Sequence, residues 1–242
     1  MDVNWEKSLV MSVTKRLSQN ISLYDYNVNG EILARVDCSK ILGVMISNDL
    51  SWSNQVNFVK SKANSALYLL RRLSSGMDIN CKLMLYNALV RPHLDYCSSL
   101  WDPYCDEHIR GLEGIQNRAV RLIFKNYSRD SCITSLRQSI GLPTLQTRRK
   151  ENRLLLMYKI FNNLTILDKD KFLFPANYIA RGDHDFKLRR VLCVCDYFLE
   201  SFFSKTVKDW NLLHKSIVHS VNISAFKQQC ILMRNELPCQ RH

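Results

Sequence analysis

Arg110, Gly114, Arg118, Arg121 and Lys125 follow one another at steps of 4, 4, 3 and 4. On a helix, that spacing lays four cations along one stripe, with a missing side chain in its middle where a ligand could approach closely. A phosphate backbone is held by separated point charges and guanidinium forks of this kind, and no base need be read. Two more clusters have the same chemistry. Lys60, Asn64 and Arg71 recur at near-helical spacing with Arg72 beside them, and Arg148, Arg149, Lys150 and Arg153 crowd one short stretch. Each cluster by itself also reads as a solvated helix face. Three of them on a chain of net charge +12 point to contact with nucleic acid.

The remaining reactive groups do not assemble a catalytic pattern. No Asp-Asp pair occurs, and the nearest acidic neighbours are Asp106-Glu107, Asp168/Asp170 and Asp183/Asp185. The first suits a helix N-terminus, where negative charge meets the positive end of the dipole. The others fall in irregular stretches. Neither a G-x-S-x-G elbow nor a phosphate-loop lysine motif is present. Catalytic residues are therefore expected to be none. Cys193 and Cys195 are spaced more tightly than zinc ligands usually are, and His184, His214 and His219 show no ligand spacing, so no metal site is expected. The chain opens without a basic-then-apolar leader and contains no uncharged stretch of about 18 apolar residues. Its nine cysteines are accordingly expected to be reduced, mostly buried, and in an intracellular protein of cytoplasm or nucleus, away from membranes.

These groups need a scaffold, and 242 residues with 46% hydrophobic side chains suffice for a core in one domain or two modest ones. Residues 1–50 read as β-rich. Leu9 to Thr14 is a short apolar run. Ser22 to Val28 and Glu31 to Val36 flank Asn29-Gly30, a two-residue hairpin signal. Ser39 to Ser47 reads as one further strand, in which Gly43 permits close approach. From Trp52 the period becomes helical through Leu73, with Ser51 or Ser53 as cap and Gly76 as stop. A second helix starts near Asp78 or Asn80. Pro92 should kink it before it resumes through Leu94, Cys97 and Trp101.

The stripe helix spans about Asp106 to Lys125, with Ile109, Leu112, Gln116, Ala119 and Ile123 on its apolar face. A short helix ends before Gly141. Thr144 or Thr147 opens a long one that reaches about Asn163, and 165–192 is irregular. Helix returns at Tyr197 to Leu213 and again in a Ser224-capped segment. Trp52, Tyr68, Tyr86, Trp101 and Trp210 fall in or beside apolar stripes and are expected to anchor the core. The fold class is mainly α, a helical bundle with a small N-terminal antiparallel β element. The expected divisions are 1–50, 51–128 and 129–242.

Three segments carry a resemblance: Ile41 to Trp52, Leu89 to Tyr104, and Leu112 to Ile123. In this order and spacing they resemble the region just after the active site in reverse transcriptases of non-LTR, jockey-like retrotransposons. Asn4 to Met11, Gly141-Leu-Pro143, Arg148-Arg149, Tyr158-Lys-Ile160, Ser201-Phe-Phe203 and Trp210-Asn211 extend the likeness along most of the chain. Ser47 and Gln55 stand where the family often has Asp and His. The resemblance implies the end of the palm, then the thumb and tail of an RNA-directed DNA polymerase. Such a region would grip the RNA template and RNA–DNA hybrid beside the missing palm and fingers. It lacks the family's aromatic–x–Asp–Asp motif, which in the complete enzyme would hold Mg2+, and alone it is predicted not to be catalytic. Lys60, Arg71, Arg72, Arg110, Arg118, Arg121, Lys125, Arg148, Arg149 and Arg153 would contact nucleic acid, and Gly43 would lie near the primer end. The alternative is a helical protein-interaction module, or an inactive pseudogene-derived fragment.

Overall fold

The computed structural model describes residues 4, 8–13, 24–28, 30–181, 183–192 and 195–236. The chain is mainly α with a small β element at its N-terminal end. The strands are β1 (Leu9–Val10), β2 (Asn27–Val28), β3 (Glu31–Ile32), β4 (Ala34–Arg35), β5 (Cys38–Ile41) and β6 (Val44–Ser47). β2 and β3 form the expected antiparallel hairpin, with Gly30 at φ +88° and its N–H donating to Asn27 Oδ1. Asn29 lies outside the described residues. β1 and β4 pair in parallel.

The single strand expected from Ser39 to Ser47 is instead a second hairpin. Ile41 pairs with Val44, and Leu42 and Gly43 between them take φ +47° and +88°. A two-residue type I′ turn needs both values positive. A left-handed leucine costs about 1 kcal/mol or more. The Tyr96 hydroxyl donates to its carbonyl at 2.8 Å and helps hold it there. Gly43 suits the φ, and a Cβ there would also crowd the Tyr96 ring at 3.1 Å.

α1 (Ser53–Leu73) buries Val56, Val59, Ala63, Leu67 and Leu70, the face expected from the period. Neither Ser51 nor Ser53 caps it. Trp52 occupies the N-cap without a side-chain bond. Three residues further in, buried Gln55 accepts the Met45 N–H at 2.8 Å and fastens the β5–β6 hairpin to the helix. α2 (Ile79–Leu85) is capped by Asp78, which accepts the Cys81 N–H. A π-helical turn, Tyr86–Val90, then leads into α3 (Arg91–Asp95). The wider turn sits just before Pro92, where the ring and its missing N–H disrupt the ordinary ladder. The helix does not resume through Trp101 as expected. It stops at Asp95, and Cys97 turns left-handed at φ +51°. Trp101 is buried nonetheless, donating Nε1–H to the Tyr96 carbonyl.

α4 (Asp106–Phe124) is the stripe helix and ends on left-handed Lys125. α5 (Ile133–Ser139) is short. In α6 (Leu145–Phe161), Thr144 is the cap, its hydroxyl accepting the Thr147 N–H at 3.0 Å. A 3-10 turn, Lys169–Lys171, and a bridge between Pro175 and Leu188 punctuate the irregular stretch. α7 (Asp196–Leu199), α8 (Phe202–Asn211), α9 (Lys215–Val218) and α10 (Ile223–Glu236) follow, the last opened by Asn222 rather than Ser224.

Buried apolar side chains gather in two clusters. One joins α1, the π-helical turn, α3 and α4 with Leu142 and Leu145. The other joins Leu154 to Ile160 of α6 with Trp210, Ile217 and Phe226. α6 thus contributes to both. Tyr86, Trp101 and Trp210 are core anchors as expected, and Trp52 packs at the edge. Tyr68 is not an anchor, being 65% exposed. The cysteines also differ from expectation. Of the seven described, only Cys230 is buried. Cys105, Cys132 and Cys195 stand at N-cap positions of α4, α5 and α7, where chain ends meet solvent. Cys193 lies outside the described residues. Among the described residues, no helix is long and apolar enough to cross a membrane.

Candidate nucleic-acid interface

α1 and α4 pack along one another through Ala63, Leu67, Ala119 and Leu122, all in the first cluster. Small residues let the two backbones come close, and a groove opens where that seam meets solvent. Asn64, Leu67, Tyr68 and Arg71 form one wall of it. Arg118, Arg121 and Leu122 form the other, and Tyr127, just after α4, closes the end. Its volume is about 410 Å³, and no carboxylate lines it.

Three of the expected cations therefore converge. Arg118 donates from Nη2 to Asn64 Oδ1 at 2.9 Å and from Nε to the Gly114 carbonyl, so its guanidinium bridges the two helices. Arg121 donates to the Ser128 carbonyl at 2.7 Å and to Ser131 Oγ, pinning the loop that carries Tyr127. Arg71 is exposed and has no ion pair among the described residues. Arg110, Arg72 and Lys125 are exposed but do not line the groove. Lys60 is half-buried. Its Nζ would lie 3.2 Å from a Cβ at Gly111, so the lysine crosses the α1–α4 seam there. Gly114, in the middle of the stripe, faces open space, and the protein's own close approach on α4 is at Gly111.

Of the third expected cluster, only Lys150 is at the surface. Arg148, Arg149 and Arg153 are 5%, 2% and 4% exposed. Arg148 is ion-paired with Asp95. Arg149 lies 5.0 Å above the Trp101 ring. Burial pulls its guanidinium below the usual arginine range, against the opposing charges of Asp102 and Glu113. Arg153 reaches Asp102 through Nε and Asp209 through Nη2, both at 3.1 Å. Lys205 and Lys150 add to the same two carboxylates from the outside. Arg148 and Arg153 link α6 to the end of the α3 segment and to α8, and Arg149 is enclosed against Trp101, so none of the three presents its head to solvent. Asp102 and Asp209 each adjoin a tryptophan, Trp101 and Trp210, and that adjacency is the sequence signal for buried carboxylates. Tyr68 and Tyr127 were likewise missed, although Asn64, Tyr68 and Arg71 share one helical stripe at steps of 4 and 3.

Glu113, also on α4, accepts the Gln146 N–H at 3.1 Å and so supports the start of α6. Burial raises its carboxyl above the ordinary value of 4.5, outweighing that hydrogen bond and the nearby Arg137 and Arg149. A raised folded-state pKa means that the folded protein binds this proton more tightly. The associated stability is fully present below the unfolded value and is lost as pH rises through the folded one. Glu113→Gln keeps the acceptor and removes the charge. Its stability relative to the wild type should therefore rise from acid pH to neutrality, read by urea unfolding at both. A constant difference would remove Glu113 from the pH dependence.

Among the described residues, no three His, Cys, Asp or Glu side chains gather to hold a metal ion. No family model matches the chain, and no solved structure matches it. Over 90 residues the chain is 29% identical to a probable RNA-directed DNA polymerase from transposon X-element of Drosophila melanogaster. That stretch is 36% of this chain and spans only 10% of the relative's length. This partial likeness supports a reverse-transcriptase-related origin for the chain.

Proposed function

We propose that this chain is the thumb and C-terminal part of a non-LTR, jockey-like reverse transcriptase, and that it grips nucleic acid without performing chemistry itself. The observation that carries the reading is the convergence of Arg71, Arg118 and Arg121 on one carboxylate-free groove. In this reading, RNA template and RNA–DNA hybrid lie across α1 and α4, with Arg110, Arg72, Lys60 and Lys125 adding longer-range attraction. The Leu42-Gly43 turn points toward the primer end. The palm and fingers complete the enzyme and hold its Mg2+, and the protein works inside the cell. The buried Arg148, Arg149 and Arg153 do not take part: Arg148 and Arg153 are ion-paired with carboxylates, and Arg149 is enclosed against the Trp101 ring.

Arg71→Ala combined with Arg118→Ala should weaken binding to a blunt RNA–DNA hybrid. It should also make the dependence of log affinity on log salt shallower by about 1.5, because two phosphate contacts release fewer counterions. Arg121 is left in place because it holds the 126–131 loop. Unchanged affinity and slope, measured by fluorescence anisotropy across salt, would refute the interface.

A further inference from the structure

The groove is more than a strip of positive charge. Its lining includes the buried Leu67 and Leu122 and the rings of Tyr68 and Tyr127, which are 65% and 64% exposed. A phosphate backbone has no use for aliphatic and aromatic walls. A continuous duplex cannot fill them either, because its base faces are covered by neighbouring bases and only its polar edges are open. An unpaired nucleotide complements this lining, with a flat, apolar base face and a phosphate joined to it through the sugar. About 410 Å³ is ample for one base and its sugar.

We infer that the α1–α4 groove seats an unpaired nucleotide, its base against Tyr68 and Tyr127 and its phosphates on Arg71 and Arg118. The inference rests on the nucleic-acid reading above and adds a preference to it, for a single-stranded end or overhang over blunt duplex. Charge complementarity supports the occupant, since three arginines and no carboxylate line the site. The hydrogen bonding supports it too. Arg121 draws Ser128 and Ser131 onto the end of α4, and so fixes the short loop that presents Tyr127. Arg118 occupies Asn64 Oδ1, so the amide's N–H donors are what Asn64 has to offer a ligand. Stacking of this kind tolerates any base, so little sequence preference is expected.

The test uses the full chain and three labelled probes: a blunt RNA–DNA hybrid, the same hybrid with a four-nucleotide overhang, and a single-stranded oligonucleotide. The overhang and the single strand should bind better than the blunt hybrid at equal salt. Tyr68→Leu with Tyr127→Leu should erase that advantage, about a tenfold loss or more, while binding to the blunt hybrid stays within about twofold. Tyr68→Trp with Tyr127→Trp should retain the advantage, because the ring faces remain. Arginine-dependent binding with no preference for unpaired nucleotides, or a preference that survives the leucine variant, would overturn the stacking site and leave the broader reading standing. No binding to any probe would overturn both.

Discussion

Arg153→Met should lower the unfolding free energy by about 3–5 kcal/mol. The side chain is 4% exposed and joins Asp102 and Asp209 at 3.1 Å each. Removing it leaves two largely buried carboxylates with only Lys205 and Lys150 to balance them. A buried charge without its partner is far more costly than a broken surface pair, because the solvation it gave up is no longer replaced. Methionine fills much the same volume, so the loss reports charge rather than a cavity. Urea unfolding should show a lower midpoint with an unchanged slope. The contrast with the exposed arginines makes the experiment decisive. Arg71→Ala with Arg118→Ala should change binding and move stability by little, about 0.5 kcal/mol per site. A stable Arg153→Met that binds nucleic acid poorly would reverse this assignment and return Arg153 to the interface.

The second large effect is expected at Gln116, which is fully buried on the apolar face of α4. It accepts from the Tyr86 hydroxyl at 3.0 Å and donates to the Pro143 carbonyl at 2.8 Å. One amide therefore ties the π-helical turn to the loop that leads into α6. Burial pushes the Tyr86 phenol up to about 12, so it stays protonated and remains a donor at any ordinary pH. Gln116→Leu strands both partners in the core, at about 1–3 kcal/mol each, and should cost about 2–4 kcal/mol in all. Tyr86→Phe removes only one of these bonds and should cost about 1 kcal/mol. Because the two residues share a bond, the double variant should lose less than the sum. Full additivity would mean that the Tyr86–Gln116 bond contributes nothing.

The helices that bear the groove were legible from the chain because their apolar residues repeat at three and four positions and their cations repeat on the opposite face. α1, α4 and α6 start and stop within a residue or two of expectation, and Thr144 caps α6 as its place before an apolar run suggests. The Asn-Gly hairpin was legible because few residues tolerate positive φ. The Leu42-Gly43 hairpin was hidden for the same reason, since leucine does not announce a left-handed turn. What admits it there is the hydroxyl of Tyr96, 54 residues later in the chain. Pro92 marked a disruption correctly. A local rule could not say that the helix would widen into a π-helical turn and end at Asp95, with Trp101 buried outside any helix.

Periodicity separates polar from apolar faces, and there its reach ends. Arg118 and Arg153 look alike on a helical wheel. One lies over an open seam and the other between two carboxylates, because α4 has solvent on one flank whereas α6 is enclosed by the α3 segment and α8. Tyr68 was assigned to the core by its neighbours in sequence, yet its ring falls on the stripe shared by Asn64 and Arg71 and stays outside. The sequence by itself determined the helical class, the basic character and the residues able to meet phosphate, since composition and spacing are local properties. Only the tertiary structure decided which arginines are free to do so, because a charge is available or consumed according to the partners that packing brings beside it.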